Sequence, residues 1–243
     1  MQAWGLTDPG MIRPQNQDDY AIVKLGRDQL LAIVCDGMGG AKSGNIASRM
    51  AVDTFSDEVR RTIRSSMKQD RIDKMLLDAV ELANKAVYEQ SHLSDEYQGM
   101  GTTLVAALFQ KDTVTVANVG DSRAYLFNKD GMSSITTDHS LVELMVQRGE
   151  LSREAAKNHP GKNLITRAVG TEATVECDIY HHKLSKGDCV LLCSDGLSNV
   201  MSDQEILFEV VHGVKKNDCC QRLLKIANYR GAPDNVTVAL VAM

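Results

Sequence analysis

LLAIVCDG, residues 30–37, runs apolar for six residues and then stops on Asp-Gly. CVLLCSDG, residues 189–196, is apolar until a serine and the same dipeptide. Runs of this length without alternation read as strands buried on both faces. A third run, TVTVANVGDSR (113–123), leads to Asp121, and a fourth, DNVTVALV (234–241), opens on Asp234. An Asp at the end of a buried strand is costly unless something satisfies its charge. Several such ends suggest one sheet edge where carboxylates meet around a cation. In an antiparallel sheet one strand's end lies beside its neighbour's start, so Asp36, Asp121, Asp195 and Asp234 can share one rim.

Outward from these runs, the pattern predicts strands over 2–7, 18–24 and 30–36, then helices over 45–64 and 71–90. Ile46, Met50, Phe55, Val59 and Ile63 mark the inner face of the first helix. Ile72, Met75, Leu76, Ala79, Val80, Ala83 and Val87 mark that of the second. Both stripes suit a helix covering a sheet. Strands over 102–109, 113–119, 122–128 and 133–137 are joined by short turns such as QKD and NKDG, which favours antiparallel hairpins. Residues 140–170 are polar and read as short helices and loop, an excursion from the sheet. Strands over 174–182 and 188–194, helices over 203–212 and 218–229, and a final strand complete the chain. This order is not a βαβ alternation. It predicts an α+β antiparallel sandwich with a helix pair on each outer face.

Composition narrows the function. At 243 residues the chain has room for one large domain or two small ones, and no linker or repeat marks a boundary. A net charge of −5 without a Lys/Arg block excludes non-specific nucleic-acid binding as the main role. No run approaches the roughly 18 apolar residues of a membrane span. The start of the chain has no apolar signal region. Six cysteines without CxxC or zinc spacing suit a reducing cytoplasmic setting.

Carboxylates a few Å apart repel, and a divalent cation removes the repulsion. Oxygen-only ligands select Mg²⁺ or Mn²⁺ over zinc. Two such ions sharing an Asp can acidify a water for in-line attack on phosphorus. Asp-Gly is also a common hairpin signal, but each of these runs into a helical stretch instead of a matching strand. Arg13, in RPQNQDD, is either a clamp for two phosphate oxygens or a surface loop arginine. Asp18 either holds a metal-bound water or simply begins a strand. DGMGGAKS (36–43) imitates a phosphate-binding P-loop but puts Asp36 and Ala41 at its two glycine positions. His139 and His159 are loop histidines of a kind more often structural than catalytic. His181 and His182 point to opposite faces of a strand.

RPQNQDD, VCDGMGG, MGTTLV, NVGDSR, TDHS, HPGKNLITRAVG, LLCSDGL and DNVTV occur in this order from Arg13 to Val238. With them the chain resembles the metal-dependent Ser/Thr protein phosphatases of type 2C, the PPM family, and most of all its compact bacterial branch. The resemblance implies a four-layer α-β-β-α sandwich, with two mostly antiparallel sheets flanked by helix pairs. It implies a single catalytic domain over 1–243 with a flap subdomain at 140–170. Asp36 would bridge two Mn²⁺ or Mg²⁺ ions, the Gly37 carbonyl would bind the second, and Asp195 and Asp234 would complete the first. Asp18 would hold waters of the second ion. Asp121 with Asp195 would match a weaker third site, and Arg13 would hold the substrate phosphate.

The activity implied is hydrolysis of phosphoserine and phosphothreonine in proteins by metal-activated water, opposing a bacterial Ser/Thr protein kinase. The expected setting is a cytoplasmic monomer with no nucleic-acid or membrane partner. Many members carry a histidine after the first Asp-Gly, or after the following GG, where this chain has Met38 and Ala41. The acid for the leaving group is therefore unassigned, and a metal-bound water at the third site is the first candidate. An inactive phosphate-binding module is the alternative to an enzyme, and intact metal-site aspartates argue against it.

Overall fold

The computed structural model describes residues 1–39, 43–212 and 216–243. Strands β1 (Gln2–Asp8), β2 (Asp18–Gly26) and β3 (Gln29–Met38) lead into helices α1 (Gly44–Thr62) and α2 (Gln69–Ser91). A run of strands follows: β4 (Gly101–Thr102), β5 (Leu104–Gln110), β6 (Thr113–Val119), β7 (Arg123–Asn128) and β8 (Gly131–Ser134). The excursion holds α3 (Leu141–Gln147) and α4 (Arg153–Ala156). The chain then forms β9 (Asp178–Lys183), β10 (Cys189–Cys193), α5 (Asp195–Ser198), α6 (Asp203–His212), α7 (Cys219–Tyr229) and β11 (Val236–Ala242).

One sheet has the order β1-β11-β10-β7-β8. The other has β2-β3-β5-β6-β9, with β4 added to β3. Their pairings are antiparallel. Strand β3 explains why its sequence does not alternate. Leu31, Ile33 and Cys35 face the helix side and pack with Phe55, Val59, Leu76 and Val80. Leu30, Ala32 and Val34 face the other sheet, in one layer with Leu126, Val190, Leu192, Ala239 and Val241. On the far side Ile206 and Val210 of α6 and Leu223, Leu224 and Ala227 of α7 cover Leu191, Cys193, Val238 and Leu240. Four layers result, each fully buried Val, Leu, Ile or Phe side chain contributing about 1.5–3 kcal/mol by leaving water. The α+β sandwich expected from the element order is the observed fold.

Three local differences bear on the site. The strand expected over 102–109 breaks at Thr103, because its amide donates to Asp36 O (2.9 Å) while its hydroxyl accepts from Asp36 N (2.9 Å). Asp195 does not end a strand but opens the single helical turn α5. Asp234 lies two residues ahead of β11. Neither Asp-Gly is a hairpin: Asp36-Gly37 stays inside β3, and Asp195-Gly196 begins α5. Residues 40–42, including Ala41 and the middle of the P-loop imitation, and residues 213–215 lie outside the described residues.

Residues 140–170 form the polar excursion the sequence suggests. Ser140 caps α3 by accepting from Glu143 N, and Ser152 caps α4 by accepting from Ala155 N. A single bridge, Ser140 with Ile165, closes it on itself, and another, Thr102 with Val169, ties it back to the body.

Candidate active site

Antiparallel register brings the acids together. Asp18 begins β2 directly opposite Asp36 near the end of β3. In the other sheet, the end of β10 leads to Asp195 where Asp234 leads into β11. Asp36, Asp121, Asp195 and Asp234 line one cavity of about 550 Å³, together with Arg13 and Gly37. Asp18 stands behind this rim, 7% exposed. All seven residues singled out in the sequence therefore meet at one end of the sandwich.

Both glycines of the Asp-Gly pairs are required by close packing. A Cβ on Gly37 would stand 2.0 Å from Gly44 O, and one on Gly196 would stand 1.9 Å from Asn235 O. The backbones of β3 and α1, and of α5 and the Asp234 segment, touch where a side chain would part them.

The acids rest on hydroxyls that the sequence reading did not single out. Thr103 Oγ1 is 2.7 Å from Ser122 Oγ, so a buried hydroxyl pair supports the Asp36 backbone. Ser194 Oγ donates to Asp18 Oδ2 (2.7 Å) and accepts from Thr237 N (2.9 Å). Asn199 Nδ2 donates to Asp195 Oδ2 (2.9 Å). His139 is structural, as a loop histidine is expected to be. Its Nδ1 accepts from Gly120 N (3.1 Å) and its own amide donates to Gly120 O (2.9 Å). Because Nδ1 accepts, Nε2 carries the proton and faces Asp178 Oδ2 at 3.1 Å. The turn that presents Asp121 is thereby fixed. Such supports carry no sequence pattern, since a Ser or Thr becomes one only when distant strands meet.

Arg13 leans over the cavity, with Nη2 donating to Asp234 Oδ2 at 2.7 Å. Its side chain is 52% exposed, so one face stays open to solvent. The hydrogen bond to Asp234 and that carboxylate's charge raise its pKa. Met38 lines the same cavity instead of packing in the core.

The donor set suits a hard cation. Asp18 Oδ1 and Asp195 Oδ1 are buried without a hydrogen-bond partner. A buried carboxylate oxygen without a partner is unfavourable, and a divalent ion bound through oxygen is the natural remedy. The acids ring the cavity without pinching to a point: among the described residues, no three His, Cys, Asp or Glu side chains form a ready-made metal cluster.

Burial first, and neighbouring carboxylates second, push these acids up. Asp18 is raised to about 7 and Asp121 to about 8. Asp36 lies well above the usual carboxylate range and Asp195 is also raised. A folded chain holding such protons loses stability once pH passes the unfolded values near 4, and the loss is complete above the folded ones. The metal-free protein should therefore melt at a higher temperature at about pH 5 than at about pH 8, the interval spanned by these shifts. Calorimetry in EDTA checks this; a melting temperature that rises over the same interval contradicts it. Added Mn²⁺ should recover more stability at the higher pH, where the acids are ionised.

The family profile described as Protein phosphatase 2C matches residues 14–225. The serine/threonine phosphatase Stp of Listeria innocua is 39% identical over 242 residues, 99% of this chain and 95% of that protein. The solved serine/threonine phosphatase of S. agalactiae superposes with a TM-score of 0.93 at 38% identity, covering 100% of this chain and 99% of that one. The catalytic domain of the phosphatase PstP, solved in complex with two manganese ions, gives a TM-score of 0.83 at 30% identity, covering 98% of this chain and 96% of that one.

Proposed function

The chain belongs to the protein phosphatase 2C family and is a protein-serine/threonine phosphatase acting on phosphoproteins, and we propose that it works through a binuclear Mn²⁺ or Mg²⁺ centre and opposes a bacterial Ser/Thr protein kinase. One observation carries the metal reading. Acids from both sheets line a single cavity with Arg13, and Asp195 Oδ1 and, behind the rim, Asp18 Oδ1 are buried without a partner.

Asp36 would be shared by the two ions, and Gly37 would add its carbonyl to the second. Asp195 and Asp234 would complete the first, Asp18 would support the second from behind, and Asp121 with Asp195 would hold a weaker third. When bound, such ions lower the pKa of water and neutralise charge developing on phosphoryl oxygens. The protein's own part is positioning. Thr103 and Ser194 hold the backbone of Asp36 and the carboxylate of Asp18. Arg13 offers a planar guanidinium suited to two phosphoryl oxygens, and its open face makes it reachable by a substrate. No histidine lines this cavity among the described residues. The leaving serine or threonine oxygen must then receive its proton from a group other than imidazole, and the Met38 thioether cannot give one.

We read the chain as one catalytic domain, monomeric and cytoplasmic, with residues 140–170 as a flap. Asn163 and Ile165 of that segment face the cavity. Its six cysteines are free, which suits a reducing compartment. Among the described residues no helix is long and apolar enough to cross a membrane.

The purified protein should hydrolyse a phosphothreonine peptide and a small aryl phosphate with Mn²⁺, stop in EDTA and recover when Mn²⁺ is returned. Full turnover in EDTA would overturn the metal reading while leaving the family assignment intact.

A further inference from the structure

Asn235 follows the rim acid Asp234 and is 3% exposed. Its whole side chain serves one loop, residues 9–17. Nδ2 donates to Pro9 O and to Gln15 O, each at 2.9 Å. Oδ1 accepts from Gln17 N at 2.8 Å. Both feet of the loop are thus pinned by one amide, and Arg13 stands between them. The same residue is wedged against the catalytic rim, because its carbonyl fills the space a Cβ on Gly196 would need.

We infer that Asn235 is the positioning residue for Arg13: it fixes the two ends of the 9–17 loop so that the guanidinium stands over the cavity. The inference rests on reading Arg13 as the phosphate-holding residue. The chemistry selects an amide. Two carbonyls need two N–H donors while the Gln17 amide needs an acceptor, and only a carboxamide of this length offers all three. A carboxylate keeps the bond from Gln17 but sets a negative charge against two carbonyl oxygens.

Asn235→Ala and Asn235→Asp test this in the full chain loaded with Mn²⁺. Inorganic phosphate is the probe, followed by calorimetry and by competitive inhibition, and Mn²⁺ affinity is measured separately. Each variant should weaken phosphate binding and raise KM by roughly 10- to 100-fold, the scale for a misplaced binding group. Mn²⁺ affinity should stay within about twofold, since no proposed ligand side chain is removed. In an Arg13→Ala background the same substitutions should have little further effect on phosphate affinity, because residues acting as a unit are not additive.

Full additivity of the two substitutions would overturn the inference. So would a loss of Mn²⁺ affinity matching the loss of phosphate affinity. Absence of a native melting transition in both variants would overturn it too, since Asn235 would then hold the fold and not the loop. If Arg13→Ala alone leaves phosphate affinity unchanged, the reading of Arg13 itself fails, and that outcome is distinct from additivity.

Discussion

Replacing Asp36 by asparagine is expected to reduce phosphatase activity by about three orders of magnitude or more, the equivalent of several kcal/mol of charge stabilisation, while raising the melting temperature of the metal-free protein. The two effects have one cause. Asp36 lies at the centre of the acid rim, register-paired with Asp18 and facing Asp195, Asp121 and Asp234. Burial and these neighbours hold its carboxyl well above its ordinary range. In a metal-free chain near neutral pH this crowding works against folding. Asparagine keeps the shape and removes the charge. Thr103 bonds the backbone of residue 36 and not its side chain, so that support survives. Removing the repulsion from these neighbours is what should raise the melting temperature. Calorimetry in EDTA and steady-state hydrolysis with Mn²⁺ measure the two sides. A variant that loses activity and stability together would show Asp36 to be a structural residue. The stabilisation gained on adding Mn²⁺ should also be smaller in the variant, because one shared ligand charge is gone.

That the same residue should oppose stability and support activity explains why the site was legible in the sequence. A carboxylate terminating an apolar strand contradicts the rule for cores, and contradictions of that kind mark function. The lack of alternation in residues 30–35 was legible for a related reason, since a strand covered by a helix layer and a sheet has no polar face to show. Apolar spacing likewise placed α1 and α2 to within a few residues of their observed ends.

What could not be read depends on contacts between distant parts of the chain. Thr103 and Ser122 are ordinary strand-edge residues until β3, β5 and the Asp121 turn converge. Ser194 becomes a support for Asp18 only because the two sheets meet at this end, 176 residues apart in sequence. The helical turn at Asp195 was hidden because CVLLCSDG looks like LLAIVCDG. Their surroundings separate them: Thr103 bonds the Asp36 backbone within β3, whereas Asn235 O backs Gly196 in α5. Asn235 itself sat inside a quoted motif, but its amide acquires a purpose only when the 9–17 loop closes on it from more than 200 residues away.

Arg13→Ala should lower kcat/KM by about 10²- to 10³-fold, the usual consequence of removing one preorganised group from a transferring phosphoryl. Arg13→Lys should recover only part of this, because an ammonium cannot make two parallel bonds to phosphoryl oxygens. The effect on metal binding should have the opposite sign. Nη2 of Arg13 lies 2.7 Å from Asp234 Oδ2, where it supplies positive charge that a cation would otherwise supply. Removing it frees that carboxylate, so Mn²⁺ affinity in the alanine variant should be unchanged or modestly higher while phosphate affinity falls. Stability should hardly move: the pair is 52% and 31% exposed, and ion pairs in water are worth about 0–1 kcal/mol. Titration calorimetry with Mn²⁺ and with phosphate, on the same preparations, separates the two affinities. Parallel loss of both would mean that Arg13 serves the acids and not the substrate. A divergence between them would identify Arg13 as a group that waits on Asp234 until a metal takes its place, and then turns its open face to the phosphate.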